Sequence, residues 1–310
     1  MISNFEEKTG ALFGGLWATL TDEQYRDSVE LFTKRAVANN FDLEWLNGKK
    51  CLDAGCGSAR SSVALAMHGA DSIIAVDVSQ TGLVEASRRA AEFSQITFKQ
   101  ASVLGLPFED STFDFVWCAG VIHHTSDFDV ALSELTRVLK PGGKLFLLVY
   151  GAGGLRWKAI KALRAIALDL GTAFIDEAIL VARFPANNRK HFMDDLFVSV
   201  QKLTSFAELA TKLPKLGYSE IHRWTGETFD HESNSAAQLE DIVKLERIFH
   251  AGLSLAKTVT ECYLTQLAHQ TATLYVEFAR KAMNDGSISA AEIREVVIGE
   301  GNHRVVATKA

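Results

Sequence analysis

The stretch Cys51–Arg60, CLDAGCGSAR, decides the fold because it joins the end of a buried strand to the start of a helix. Its apolar beginning is typical of a parallel strand that is covered on both faces. Gly55 and Gly57 let the backbone turn tightly and let a ligand approach without a side chain in the way. A helix that begins near Ser58 points its N-terminal amides towards that ligand. The stretch therefore predicts a ligand site at the carboxyl edge of an α/β sheet.

The acidic residue Asp53, two positions before the turn, separates this stretch from the dinucleotide fingerprint G-x-G-x-x-G. That fingerprint cradles a pyrophosphate, which gains nothing from an anion at Asp53, and Arg60 replaces its third glycine. A carboxylate suits a ligand with an ammonium or sulfonium charge, while the helix N-terminus suits a carboxylate on the same molecule. S-adenosylmethionine has all three groups.

With the sequence that follows it, this stretch resembles the class I S-adenosylmethionine-dependent methyltransferases, whose first motif is an acidic residue followed by a G-x-G turn. Ala59 stands where many members have a third glycine. The run LPFEDSTFDFV, residues 106–116, is common in this family and extends the resemblance from about Trp45 to Tyr150. The resemblance implies an α/β fold with a doubly wound, mostly parallel, Rossmann-like sheet of seven strands, and S-adenosylmethionine as the cofactor.

A second acidic residue follows at the distance that a nucleotide site requires. The β-branched run Ser72–Val78 contains Asp77, about 20 residues after the glycine turn, where α/β sites place a carboxylate on the ribose hydroxyls. The alternative is a solvated aspartate that caps the helix predicted for Ser79–Phe93. The next strand and its exit, Ile96–Val103, bring Ser102 to the position where the resembled family has an aspartate on the adenine amino group. The motifs and the resemblance together assign the cofactor to Asp53, Ala54, Gly55, Cys56, Gly57, Asp77, Val78, Ser102, Val103, Cys118, Ala119 and Trp17.

The stretch Cys118–Thr125, CAGVIHHT, follows the fourth predicted strand, and in the resembled family this region faces the transferred methyl group. His123 or His124 is a candidate general base near the acceptor, because histidine titrates in the useful pH range. The alternative is that the pair serves cofactor binding or helix packing.

The N-terminal segment contains FGGLW, Phe13–Trp17, which resembles an FGxxW stretch found ahead of the glycine motif in some relatives. Such a segment would fold over the cofactor and exclude water, and methyl transfer needs a dry site in which the acceptor is held in place. Phe13 and Trp17 would also attract a sulfonium through their π faces. The alternative is that these rings are packing anchors.

Alternating strands and helices predict a parallel sheet, and helical periodicity predicts two helical insertions. The first, with eight basic and five acidic residues between Gly151 and Leu203, would form a basic lip over the acceptor pocket or a solvated helical face. The second, with an apolar face along Ala236–Met283, would form a lid, a dimer surface or core packing. The predicted division is an N-terminal helical cap at 1–45, a cofactor-binding core at 46–152, a helical insertion at 153–203, the continued core at 204–230, a helical insert at 231–300 and a final strand at 301–310.

Composition sets the remaining expectations. The 310 residues, 47% of them apolar, suffice for one α/β domain plus roughly 100 further residues. Neither a signal peptide nor an apolar run of ~18 to 20 residues is found, so we expect a cytoplasmic protein without a membrane partner. The four cysteines form no C-x-x-C pair, and no two histidines show ligand spacing with a third partner, so no metal is expected. The net charge of −6 argues against a nucleic-acid partner.

We therefore expect an S-adenosylmethionine-dependent methyltransferase with a small-molecule acceptor, whose reacting atom is oxygen, nitrogen, sulfur or carbon. Two other classes stay open. An RNA or protein methyltransferase would use the basic insertion as its docking surface. A non-catalytic relative would bind the cofactor and act as an assembly partner through its C-terminal helices, which also offer a surface for a homodimer.

Overall fold

The chain divides into two compact units. The computed structural model describes residues 2, 4–17, 20–184, 186–225, 235–284 and 290–310. The first unit comprises residues 1–151, 199–227 and 302–310, and the second comprises 152–198 and 228–301. The two helical insertions of the sequence thus belong to one unit. The predicted boundary between residues 230 and 231 lies outside the described residues. So does Pro185, at which the sequence predicts a break between two helical stretches of the first insertion.

A seven-stranded sheet forms the centre of the first unit. Its strands are β1 (Lys50–Ala54), β2 (Ser72–Asp77), β3 (Ile96–Gln100), β4 (Phe113–Ala119), β5 (Leu139–Tyr150), β6 (Tyr218–Arg223) and β7 (Asn302–Lys309). The order is β3-β2-β1-β4-β5-β7-β6, and β7 runs antiparallel to both of its neighbours. This arrangement confirms the predicted doubly wound, mostly parallel sheet. Strand order reverses beside β1, and in such sheets the crevice at the carboxyl ends of the strands next to that reversal is where ligands bind.

Twelve α-helices are described, and the sequence pattern of Ser205 and Glu208 predicts the start of one of them. They are α1 (Asn4–Trp17), α2 (Asp22–Ala38), α3 (Arg60–Met67), α4 (Gln80–Arg89), α5 (Phe128–Val138), α6 (Leu155–Leu170), α7 (Thr172–Val181), α8 (Ala186–Phe197), α9 (Phe206–Lys215), α10 (Ser235–Gly252), α11 (Val259–Asn284) and α12 (Ala290–Ile298). The Ser205 hydroxyl accepts a hydrogen bond from the Glu208 N–H at 3.2 Å, as a capping residue before α9 should. None of these helices is long and apolar enough to cross a membrane.

Alternation along β1 sends its side chains into two separate hydrophobic layers. Leu52 and Ala54 pack into one layer, and Cys51 packs into the other, in which Trp117 stacks on Phe146 with ring centroids 3.6 Å apart. All three β1 residues are fully buried. Burial on both faces is what the apolar run of a parallel strand requires, and it holds the glycine turn rigidly at the strand end.

The Pro-Gly-Gly segment before the fifth strand differs from the prediction. The sequence predicts a turn there, but β5 already begins at Leu139. On β4, Phe113 pairs with Leu139 and Phe115 pairs with Lys144, so residues 140–143 form a bulge within the strand. Glycine and proline are tolerated at such a bulge because it leaves residues outside the ladder.

Helices from both insertions share the core of the second unit. Leu155 and Ala159 of α6 pack with Leu239 and Ile242 of α10 and with Val276 of α11. The apolar face predicted for Ala236–Met283 is therefore partly core. Other members of that predicted face, Leu267, Leu274 and Phe278 on α11, are exposed.

Candidate active site

Asp53 lies near the end of β1 and is almost completely buried. The Ser62 hydroxyl donates a hydrogen bond to its carboxylate at 2.6 Å. Burial raises the pKa of Asp53 from its ordinary value of 3.8 to about 6, although the Ser62 hydrogen bonds and the charge of Arg60 act in the opposite direction. The carboxylate is therefore mostly ionised at neutral pH in a place that disfavours an anion. A cationic ligand beside it would relieve that cost.

The amides of the glycine turn are engaged within the loop itself. The N–H groups of Gly55 and Cys56 both donate to the Val76 carbonyl, at 2.8 and 2.9 Å, and the Gly57 N–H donates to the Asp77 carboxylate at 2.9 Å. The sequence also predicts that the amides around Gly55–Gly57, together with Asp53, hold the amino acid end of the cofactor, and this stays a prediction. The hydrogen bonds of these amides hold the turn against β2, and contact of Ala54, Gly55, Cys56 or Gly57 with a cofactor also stays a prediction.

Gly55 also packs closely against the loop after β4. Its φ of +79° belongs to the left-handed region, and a Cβ added there would lie 2.3 Å from a methyl carbon of Val121. Any side chain at this position would be strained and would collide. Ala59, which replaces a glycine of the resembled family, also adopts a left-handed conformation with φ +61° immediately before α3.

Asp77 links the turn to the start of α4. Besides the bond from Gly57, its carboxylate accepts the Ser79 N–H at 2.9 Å, and the Ser79 hydroxyl accepts the Gly82 N–H at 3.1 Å. Burial raises the pKa of Asp77, although these backbone hydrogen bonds oppose the rise. The charge of Asp77 in turn contributes to the raised pKa of Asp53. The two predicted carboxylates thus lie in one electrostatically coupled site.

The third predicted contact, Ser102, has a partner that the sequence does not indicate. Ser102 is buried, accepts the Leu104 N–H at 3.0 Å and donates its hydroxyl to the carboxylate of Glu6 on α1. Val103 beside it is also buried. An anion from the N-terminal helix therefore lies where the resembled family has its own aspartate.

Helix α1 lies against several loops at the carboxyl edge of the sheet. A Cβ added to Gly14 would lie 2.2 Å from the Ser79 hydroxyl oxygen, so only glycine permits this approach to α4. A Cβ added to Gly10 would contact Val78 at 3.0 Å, and the Phe13 ring lies 5.3 Å from the His124 ring. Trp17 ends α1, but its side chain lies outside the described part of the chain. The helix thus spans from the end of β2 to the loop after β4.

The two candidate bases have different environments. His123 is fully buried against the Tyr150 ring, with centroids 4.0 Å apart, and neither of its ring nitrogens has a hydrogen-bond partner in the described part of the chain. Burial, followed by the charge of His124, holds the pKa of His123 well below its ordinary value. A general base must reach its substrate. The burial of His123 favours the helix-packing alternative, and its role as a general base stays a prediction.

His124 has the tautomer that a general base needs. Its Nδ1 lies 2.9 Å from the Val200 carbonyl oxygen, which only accepts, so Nδ1 donates and Nε2 carries the lone pair in the neutral ring. His124 is also buried, with 5% of its surface exposed, and its ring lies 5.3 Å from the Phe13 ring of α1. His124 remains a predicted base.

The cysteines near the turn are unsuited to nucleophilic chemistry. Cys56 and Cys118 are buried free thiols, and burial raises the pKa of each well above its ordinary value. A neutral buried thiol is a poor nucleophile. Cys118 and the half-buried Ala119 end β4 beside the turn, and their contact with a cofactor stays a prediction.

Comparison with known proteins agrees with this geometry. Residues 52–147 match the family described as a methyltransferase domain. The chain is 31% identical over 156 residues to 27-O-demethylrifamycin SV methyltransferase of Amycolatopsis mediterranei, which covers 46% of this chain and 57% of that protein. It is 36% identical over 98 residues to demethylmenaquinone methyltransferase of Staphylococcus carnosus, which covers 31% of this chain and 41% of that protein. The chain thus spans about half the length of these curated relatives.

The fold also occurs in solved structures. A candidate sarcosine dimethylglycine methyltransferase from Galdieria sulphuraria superposes with a TM-score of 0.52 at 14% identity, covering 98% of this chain and 99% of that one. At this level of identity the likeness supports the Rossmann-like sheet alone.

Proposed function

We propose that this chain, whose first unit is a class I S-adenosylmethionine-dependent methyltransferase domain, transfers a methyl group to a small-molecule acceptor. The observation that carries the proposal is the pair of coupled carboxylates, Asp53 and Asp77, on adjacent strand ends joined by the glycine turn. The buried anion at Asp53 fits a cationic ligand, and the Asp77 carboxylate fits ribose hydroxyls.

Each residue has a defined role in this proposal. Asp53 would hold the charged amino acid end of the cofactor, Asp77 the ribose, and Ser102 with Val103 the adenine. S-adenosylmethionine supplies an electrophilic methyl group on a sulfonium. Nε2 of His124 would accept the proton that an oxygen, nitrogen, sulfur or carbon acceptor loses as its bond to the methyl carbon forms. The helix α1 would exclude water from this edge of the sheet.

Two observations support a small acceptor over RNA or a protein. The two relatives described above are named for 27-O-demethylrifamycin SV and demethylmenaquinone. Within the insertion, Arg156 is buried between Asp195 and Asp241, and Arg189 pairs with Asp176. These guanidinium groups are neutralised by carboxylates, which weakens the case for a basic lip or a docking surface for nucleic acid.

The test is incubation of the purified protein with methyl-labelled S-adenosylmethionine and fractionated cell extract. We expect label in small metabolites. Label in RNA or protein would overturn the choice of acceptor, and no transferred label would favour a non-catalytic assembly partner. Calorimetric titration with S-adenosylmethionine, and with NADH as the control ligand, tests the cofactor separately from turnover.

The ribose assignment predicts the effect of removing Asp77. Asp77→Ala should weaken S-adenosylmethionine binding by about 1.5 to 3 kcal/mol, because charge-assisted hydrogen bonds to the ribose and the brace on Gly57 are both lost. Calorimetry measures the change. Asp71→Ala, at an exposed aspartate just before the same strand, is the control and should bind normally. Equal affinity of Asp77→Ala and the unmodified protein would remove Asp77 from the site.

The buried carboxylate of Glu6 predicts a role for α1 in adenine binding. Ser102 alone offers only a neutral acceptor to the adenine amino group, whereas Glu6 beside it offers a charged one. Glu6→Gln should therefore weaken S-adenosylmethionine binding by about 1 kcal/mol, or roughly fivefold. Glu7→Gln, at the exposed neighbour on the same helix, is the matched control. Tighter binding by Glu6→Gln would mean that Glu6 competes with the adenine.

A further inference from the structure

Three potential metal ligands meet on the α10–α11 helical hairpin of the second unit. Glu246 and His250 are four residues apart on α10, so they lie one turn apart on the same face, and His269 comes from α11. Glu246 and His269 are partly buried, whereas His250 is exposed. The sequence predicts no metal because no two histidines show ligand spacing with a third partner. Ligands that come from two different helices have no characteristic spacing along the chain.

The three side chains already converge. Nε2 of His269 lies 2.8 Å from a carboxylate oxygen of Glu246, and the rings of His250 and His269 have centroids 5.0 Å apart. One ligand atom from each residue lies within 4.8 Å of the other two. Zinc bonds of roughly 2.0 to 2.2 Å place tetrahedral ligands about 3.4 Å apart. Small side-chain rotations would therefore close this group around an ion.

The backbone beneath the cluster is tightly packed. A Cβ added to Gly252, two residues after His250, would lie 3.1 Å from the Thr265 methyl carbon of α11. The start of α11 is capped, because the Thr258 hydroxyl accepts the Glu261 N–H at 3.1 Å and the Glu261 carboxylate accepts the Thr258 N–H at 2.9 Å. Two helices held this closely offer ligands at low entropic cost.

We propose that Glu246, His250 and His269 form a zinc site that cross-links α10 and α11. Two neutral imidazoles and one carboxylate are ligands that suit divalent zinc, and water would complete the coordination at the exposed side of His250. The three ligands belong to the second unit, and a zinc site there does not depend on methyl transfer.

A hydrogen-bonded pair of Glu246 and His269 is the competing explanation for the same contacts. The two explanations differ at His250, since a pair needs nothing from this third side chain, whereas a metal site loses a ligand without it. His250 is exposed, so its replacement leaves the packing of α10 intact.

The test is calorimetric titration of zinc into the full chain, free of affinity tags and treated with a chelator. We expect one zinc ion per chain, and a visible absorption band of tetrahedral type when cobalt replaces zinc. His250→Ala and His269→Ala should each weaken zinc binding by about 100-fold or more. His222→Ala, at an exposed histidine of β6, is the control and should bind zinc normally.

Thermal melting supplies a second readout. Zinc should raise the melting temperature of the unmodified protein and of His222→Ala, and should leave that of His250→Ala unchanged. Zinc binding of equal strength in His250→Ala and the unmodified protein, or no stoichiometric binding at all, would overturn the site and leave the Glu246–His269 pair as a structural contact.

Discussion

Asp53→Asn should bind S-adenosylmethionine at least about 100-fold more weakly than the unmodified protein and yet unfold less readily above about pH 7. Weaker binding follows because the asparagine is neutral, so the ammonium group of the cofactor would be buried without its counter-charge. Removing one partner of a buried ion pair costs about 3 to 5 kcal/mol.

The gain in stability follows from the raised pKa of Asp53. Because the native state raises this pKa from 3.8 to about 6, it holds the proton more tightly than the unfolded chain does. Ionisation therefore destabilises the native state progressively as the pH rises through this window, and the cost is complete above about pH 7. Asparagine removes the cost, which amounts to about 1 to 3 kcal/mol. As the pH falls towards the unfolded-state value of 3.8, the difference in stability should become small, and it should vanish below about pH 3.

Urea unfolding at pH 4 and pH 8, together with calorimetry at pH 8, checks both parts. The stability gain serves as the internal control, because a better-folded protein that fails to bind cannot have lost binding through misfolding. S-adenosylhomocysteine has the same ammonium group without the sulfonium charge, so it should lose as much affinity as S-adenosylmethionine does. Retained affinity in Asp53→Asn would remove Asp53 from the ligand site.

The parts of the site that follow from local sequence could be predicted. Asp53 and Asp77 stand at the ends of β-branched or apolar strands, and parallel strands bring such ends to one edge. Asp53 precedes the glycine turn and Asp77 follows it at the distance that a nucleotide site requires, which indicates that both contact the same ligand. The same logic predicted the sheet, because each strand carries its own periodicity and its own turn signals.

The parts that depend on distant contacts could not be predicted. Glu6 meets Ser102 across 96 positions of sequence, and no local pattern marks either residue as a partner of the other. His123 and His124 are adjacent and alike in sequence, and both are buried, yet only the His124 ring is hydrogen-bonded to Val200, while the ring nitrogens of His123 have no partner among the described residues. The sequence does not show that the N–H groups of Gly55 and Cys56 are already hydrogen-bonded, because their acceptor, the Val76 carbonyl, belongs to another strand.

Arg156→Met should destabilise the second unit by about 3 to 5 kcal/mol. The Arg156 side chain is 5% exposed, its Nη2 contacts Asp195 of α8, and its Nε lies 3.1 Å from Asp241 of α10, both carboxylates being buried. The guanidinium therefore ties together helices from both insertions. Methionine fills much of the same volume but leaves two buried carboxylates without their shared cation, apart from the more distant Lys244 at 3.6 Å from Asp241.

Hydrogen exchange of α6 and α10, combined with urea unfolding, locates and measures this loss. Arg189→Met is the matched control, because Arg189 pairs with Asp176 on a partly exposed surface and should cost about 1 kcal/mol or less. Replacing all three members of the cluster by apolar residues of similar size should recover most of the stability, since no buried charge is then left uncompensated. A loss below about 1 kcal/mol in Arg156→Met would show that water reaches these carboxylates and that apolar packing alone joins the two insertions.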